Sequence, residues 1–276
     1  MASGFCLDLI SKEDRGLYSS LLFLPETFRE AAASLYAFHL EIGKIPFLVS
    51  EPMPGEIRLQ WWRDVVSGER RDEAKSNPLA VGLLETITRH QLPIDGFLRY
   101  LDAKVFDLYN DPMPDRVTLE AYLGETESFI IQMIANCCGA ENNTELADTC
   151  GHSGVAIGIS KLVTRLAYDR DRQRVYVPCD LLRASGLSAE IWLSDDPAKL
   201  ATAIAGFIGL GKEHAQKARS AIVKLPKQYQ SVFLPLAIGE AKLDQSAKLS
   251  NAIEKQTVLS PLRTQWLIWK KAILGF

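Results

Sequence analysis

Apolar residues recur at intervals of three and four along most of this chain. Phe28, Ala31, Leu35, Phe38, Ile42 and Ile45 make one such stripe, about five helical turns long. Pro25-Glu26 opens it, with proline in the first turn and a carboxylate at the positive end of the helix dipole. Pro46 is expected to kink or end it. After the loop SEPMPG a second helix is expected from near Gly55, carrying Ile57, Trp61, Val65 and Val66. The pattern predicts further helices over Pro78–Gln91, Ile94–Asn110, Leu119–Cys138, Glu145–Asp169, Asp196–Ile208, Lys212–Val223 and Ser260–Leu274. Asp195-Asp196 is expected to cap the helix that follows it. Val175-Tyr176-Val177 is the one short strand candidate. The linkers 67–77 and 110–115 are short and polar, and no repeat is present. The expectation is one all-α domain over residues 1–276.

Two segments, Phe129–Ala135 and Gly154–Leu166, are apolar on more than one side, as central helices of a large bundle are. Gly151, Gly154 and Gly158 recur near one face of the second. They imply either close helix–helix packing or room for an elongated ligand, since each glycine costs roughly 1 kcal/mol of helix propensity relative to alanine. Trp61-Trp62 is expected to send one ring into the core and the other toward the loop above or a partner.

Composition narrows the class. With 47% hydrophobic and 24% charged residues the chain is globular, and a net charge of -3 offers no broad basic face for nucleic acid. Its five cysteines have neither zinc nor CxxC spacing, which suits a reducing compartment, and Cys137-Cys138 reads as core packing. A secretory leader and a spanning apolar run are both absent from the pattern. The expected location is the cytoplasm, with at most peripheral contact with an inner membrane. Gln265–Phe276 mixes tryptophan, aliphatics and lysine, a composition that suits a packed last helix or an interfacial one.

Several segments together resemble the squalene/phytoene synthase superfamily. Tyr18–Pro25 (YSSLLFLP) is similar to its opening helix and turn, Leu35-Tyr-Ala-Phe38 to the start of its first motif helix, and Arg174-Val-Tyr-Val-Pro178 to the end of its second. Val49-Ser-Glu-Pro52, Gly55–Arg63, Phe106–Tyr109 and Gly124–Ser128 resemble a divergent branch that includes a mitochondrial assembly factor for respiratory complex I. The resemblance implies an all-α, isoprenoid-synthase-like helical bundle around a central cavity. It further implies that active members clamp a prenyl diphosphate through magnesium held by acidic residues one turn apart on two helices. Gly43 and Phe47 stand where the first pair would be, and Arg165, Tyr168 and Asp169 where the second would be, so one carboxylate remains. Glu41 is no substitute, because two positions along a helix turn a side chain about 200°.

No catalytic or metal-binding residue is assigned. The cavity or anion-binding candidates are Tyr36, His39, Gly43, Phe47, Arg58, Arg165, Tyr168, Asp169, Arg174 and Tyr176, and Arg63, Arg170 and Arg172 extend a candidate arginine mouth. Asp102, Asp107 and Asp111 are expected on a solvated face. His39, His90, His152 and His214 have no HExxH spacing, and no GxSxG is present. The expected role is binding or assembly. The resemblance implies a complex I subunit or assembly intermediate as partner and an isoprenoid or other lipid as ligand. No cofactor is expected. The alternatives are a magnesium-dependent head-to-head prenyl diphosphate transferase, using a displaced set drawn from Glu41, Asp102, Asp107, Glu127 and Asp169, or an isoprenoid-lipid carrier.

Overall fold

Residues 2–194, 200–248 and 258–276 are described by the computed structural model, and among them every regular element is helical. The bundle is organised around the helix Thr144–Thr164. Asn143 starts it by accepting from the Leu146 amide, which satisfies an amide the first turn leaves without a partner. Cys150, Ala156 and Ile157 enter one hydrophobic core with the Glu26–Leu48 and Phe129–Cys137 helices. Val155, Ile159, Leu162 and Val163 enter a second core with Tyr176, Trp192 and Phe207. Burial on every side is why the segment shows no clean apolar stripe.

Small residues let its neighbours come close. A Cβ at Gly154 would run into the Ser128 backbone, and one at Gly158 into the Leu123 side chain. Gly151 has open space, so only two of the three glycines are packing glycines. Gly211 of the Ala201–Ile222 helix and Gly239 of the Pro235–Lys248 helix face Ile159 and Ser160 in the same way.

Several expected boundaries shift. Pro46 lies inside the Glu26–Leu48 helix, in its last turn, so the bond it cannot donate to the Ile42 carbonyl is lost only as the helix ends. The expected Ile94–Asn110 helix is an α-helix to Lys104 and then a 3₁₀ turn, Val105–Leu108. Leu119–Cys138 is interrupted by a π-helical turn, Gly124–Ser128, between Arg116–Leu123 and Phe129–Cys137. The central helix breaks at Arg165 before Leu166–Asp171. The last two expected central segments merge into one helix, Ala201–Ile222. Asp195-Asp196 lies outside the described residues.

Val175–Val177 is not a strand. Val175 and Met113 are nevertheless joined through the Met113 amide and the Val175 carbonyl at 2.8 Å. Two long helices escaped the pattern, as did several short ones such as Cys179–Ala184 and Ala189–Ser194. Ala2–Glu13 buries Cys6 and Ile10, and Pro235–Lys248 buries mainly small residues such as Ala237, Gly239 and Ala241. Small interface residues carry little hydrophobic signal, although close backbone approach makes them good packing surfaces.

Trp62 is buried, whereas the Trp61 indole donates to Glu73 at 3.1 Å, dividing the pair as its helical spacing requires. Cys137 and Cys138 are both buried free thiols. In urea denaturation Gly154→Ala should cost about 1–3 kcal/mol through overpacking. Gly151→Ala should be neutral or stabilising by up to about 1 kcal/mol, because nothing opposes its methyl.

Candidate functional site

A cavity of about 310 Å³ lies where the Glu26–Leu48, Gly124–Ser128, Thr144–Thr164 and Pro235–Lys248 elements meet. Leu17, Leu40, Ile130, Ile157 and Ile238 supply an apolar wall. Polar groups enter from five directions, and ion pairs join most of them.

The innermost group centres on Glu127, which the π-helical turn aims inward. Such a turn adds one residue to the helix and redirects the side chains that follow. Lys161 donates to both Glu127 oxygens at 2.9 and 2.8 Å, and His39 Nε2 lies 3.2 Å from Oε1. The other His39 nitrogen meets the Tyr100 hydroxyl at 2.9 Å. Burial resists ionisation of Glu127, but His39 and Lys161 override it and hold the carboxyl well below its usual range. Burial also pushes His39 down, against the pull of the Glu127 carboxylate.

A second group surrounds Asp107. Lys104 donates to Oδ2 at 3.0 Å, Tyr122 to both oxygens at 2.9 Å, and Tyr176 to Oδ1 at 2.7 Å. Burial opposes the charge on both partners. Mutual attraction wins, leaving Lys104 raised and Asp107 lowered. Arg165 forms a third pair with Asp169, Nε to Oδ2 at 2.8 Å, while its guanidinium lies over the Tyr176 ring at 5.0 Å and the Phe47 ring at 5.7 Å. Asp169 is 2% exposed and its Oδ1 has no partner. Burial therefore outweighs Arg165 and pushes the carboxyl up to about 6.

Tyr36, His39, Gly43, Phe47 and Arg165 line the cavity. Tyr176 and Asp169 stand directly behind it through Asp107 and Arg165. Tyr168 stacks against Phe47 at 5.4 Å and Arg172 covers its other side. Arg174 is buried, with Nη2 directed at the Pro46 carbonyl. Arg58 is exposed and lies away from the cavity lining, because its helix turns Leu59 and Trp62 inward instead. The arginines do not form one mouth: Arg63 pairs with Asp102 on the surface, and of the six only Arg165 reaches the cavity.

Asp107 corrects the expectation of a solvated face, being 5% exposed at the centre of a network. Sequence reasoning also passed over Lys104, Tyr122, Lys161 and Lys242. Each is a single polar residue at an otherwise ordinary helical position. Lys242 lines the cavity with no hydrogen-bond or ion-pair partner among the described residues. Burial lowers its pKa against the pull of Asp14. His152 and His214 instead contact each other, 3.0 Å apart.

The family model for squalene/phytoene synthase matches residues 10–266. This chain belongs to that family. Among similar curated proteins is the NADH dehydrogenase (ubiquinone) complex I assembly factor 6 of Rattus norvegicus, 25% identical over 273 residues, covering 97% of this chain and 82% of that protein. A phytoene synthase of Thermus thermophilus is 26% identical over 176 residues, 63% of this chain and 58% of that enzyme. A solved dehydrosqualene synthase superposes with a TM-score of 0.82 at 13% identity, covering 98% of this chain and 94% of that chain. A squalene synthase from Alicyclobacillus acidocaldarius gives 0.72 at 18% identity, over 90% and 94%. At these identities the structures establish the shared fold.

The donor set of this squalene/phytoene synthase family member does not fit magnesium. A magnesium ion needs carboxylate oxygens free to coordinate at short range. Glu127 and Asp107 already spend theirs on lysine and tyrosine donors, Asp169 sits behind Arg165, and Asp102 is at the surface. Among the described residues no three His, Cys, Asp or Glu side chains are grouped to hold a metal ion.

Glu127→Gln should destabilise the fold by about 2–4 kcal/mol, toward the lower end because Lys161 is 38% exposed and partly screened. Adding Lys161→Met should recover part of the loss in a double-mutant cycle. Glu127 and Asp107 are lowered in the fold, so their stabilisation is full above ~4 and disappears as pH falls below it. Asp169 has the opposite sign. Its stabilisation is full below ~3.9 and is lost as pH rises through about 6. Asp169→Asn should therefore flatten the stability profile between those two values in pH-dependent thermal melts.

Proposed function

We propose that this family member is not a prenyl transferase and acts in binding or assembly. Its cavity would hold an isoprenoid-like amphiphile whose anionic end is met by protein cations. The observation supporting this is that three of the cavity's four carboxylates, Glu13, Asp107 and Glu127, are held by lysines of the chain itself. Lining residues Lys44, Lys104, Lys161, Arg165 and Lys242 outnumber Glu13, Asp14, Asp107 and Glu127 by five to four. In head-to-head coupling the departing diphosphate builds negative charge that a metal must neutralise. With Asp14 alone of its carboxylates outside an ion pair, the site offers too few free ligands for that metal, whereas a lysine without a partner can receive an anion directly.

The likeness to complex I assembly factors over nearly the whole chain supports assembly of that respiratory complex as the working context. The partner would be one of its subunits or a partly built intermediate.

With farnesyl or geranylgeranyl diphosphate and magnesium, the purified chain should release no diphosphate above the uncatalysed rate. The same ligands should bind in EDTA by calorimetry, with Lys242→Ala weakening them about tenfold or more, as loss of a charge-assisted contact does. Turnover abolished by Asp107→Asn or Glu127→Gln would establish transferase activity instead. In cells lacking the protein, assembled complex I should fall on native gels stained for NADH oxidation, and unchanged complex I would reject the assembly role.

A further inference from the structure

The helix Pro261–Leu274 is seated on the bundle by one deeply buried side chain, Ile268. Its outer side is unusually apolar. Leu262, Trp266, Trp269 and Ile273 are 80%, 55%, 58% and 57% exposed, and successive spacings of four, three and four keep them within one narrow stripe. Ile268 points away from that stripe, so the bundle leaves it uncovered.

The side-chain charge carried by this segment itself has one sign. From Val258 to Phe276 the chain carries Arg263, Lys270 and Lys271 and no carboxylate side chain, although the protein as a whole is at -3. Arg263 and Lys270 fall on the same flank of the stripe at about 100° per residue. The Lys270 ammonium lies over the Trp266 ring at 5.0 Å. Exposed tryptophan beside lysine suits a layer that is apolar on one side and anionic on the other, where indole rings sit at headgroup depth. With 14 residues the helix is too short to span a bilayer, which needs about 20. A second copy of this chain fits less well, because a twofold contact through the stripe would set Arg263 and Lys270 against their own kind.

We propose that this helix docks the protein on an anionic lipid surface. The stripe enters the headgroup boundary and the basic flank meets phosphates. A recess of about 330 Å³ beside the first turns of the helix, bordered by Pro261, Thr264 and Gln265, shares Glu13, Asp14, Ile238 and Lys242 with the central cavity. Docking therefore sets this recess between the lipid surface and the cavity. At the other end of the helix, Phe23 and Lys227 border the groove beside Ile273 and Leu274 and extend the same mixture of apolar and basic groups.

Flotation of the full chain with phosphatidylcholine vesicles, and with vesicles containing about one third phosphatidylglycerol, tests this directly. The protein should float with the anionic vesicles, bind neutral ones weakly, and be released by high salt. Trp266→Ser/Trp269→Ser should lower partitioning about tenfold or more. Lys270→Glu should narrow the difference between the two lipid mixtures. Unchanged circular-dichroism melts would show that these exposed changes leave the fold intact. The proposal is overturned if the native chain ignores both vesicles or the tryptophan variant floats as well as the native chain. It is equally overturned if that variant instead converts a dimer to a monomer in lipid-free solution.

Discussion

A helix buried on all sides can carry a charge only where the fold brings an opposite charge to meet it. Thr144–Thr164 is such a helix, and Lys161 is that charge. Its ammonium lies against Glu127, on the π-helical turn directly opposite, and His39 and Tyr100 extend the contact across the bundle. Gly154 and Gly158 allow this turn to approach, because a side chain at either position would hold the Gly124–Ser128 segment away. Packing and electrostatics are thus one constraint. The close approach permits the ion pair, and the ion pair makes the largely buried Glu127 carboxylate tolerable.

The same arrangement sets the character of the cavity. Asp107 is held by Lys104 and two tyrosines, and Asp169 by Arg165, so negative charge near the centre is neutralised by the chain itself. A member of a family named for squalene and phytoene synthesis therefore presents a partly apolar chamber lined by intramolecular ion pairs. Lys242 is the exception. Partly desolvated and without a hydrogen-bond or ion-pair partner among the described residues, it is the side chain to which the proposed function assigns an entering anion.

Much of the fold was legible in the chain. The stripe from Phe28 to Ile45 and the all-round apolarity of Gly154–Leu166 correspond to real helices, because periodic burial leaves a periodic trace. Motif resemblance pointed to the family, and it implied that Gly43, Phe47 and Arg165 stand where acidic residues would be expected. The helices Ala2–Glu13 and Pro235–Lys248 were harder to see, since much of their packing relies on small or scattered side chains.

By itself, then, the sequence determined the helical class and the family, both carried by residue type and local spacing. Only tertiary structure decided which charges would meet. Lys161 and Glu127 are 34 residues apart, and His39 and Lys161 are 122 apart, so no local pattern relates them. Asp107 looked like a surface carboxylate because its neighbours Asp102 and Asp111 are. A 3₁₀ turn carried it inward to Tyr122 and Tyr176. The physical reason is the same throughout: periodicity reports which face is buried, whereas the partner of a buried charge depends on how separate helices pack.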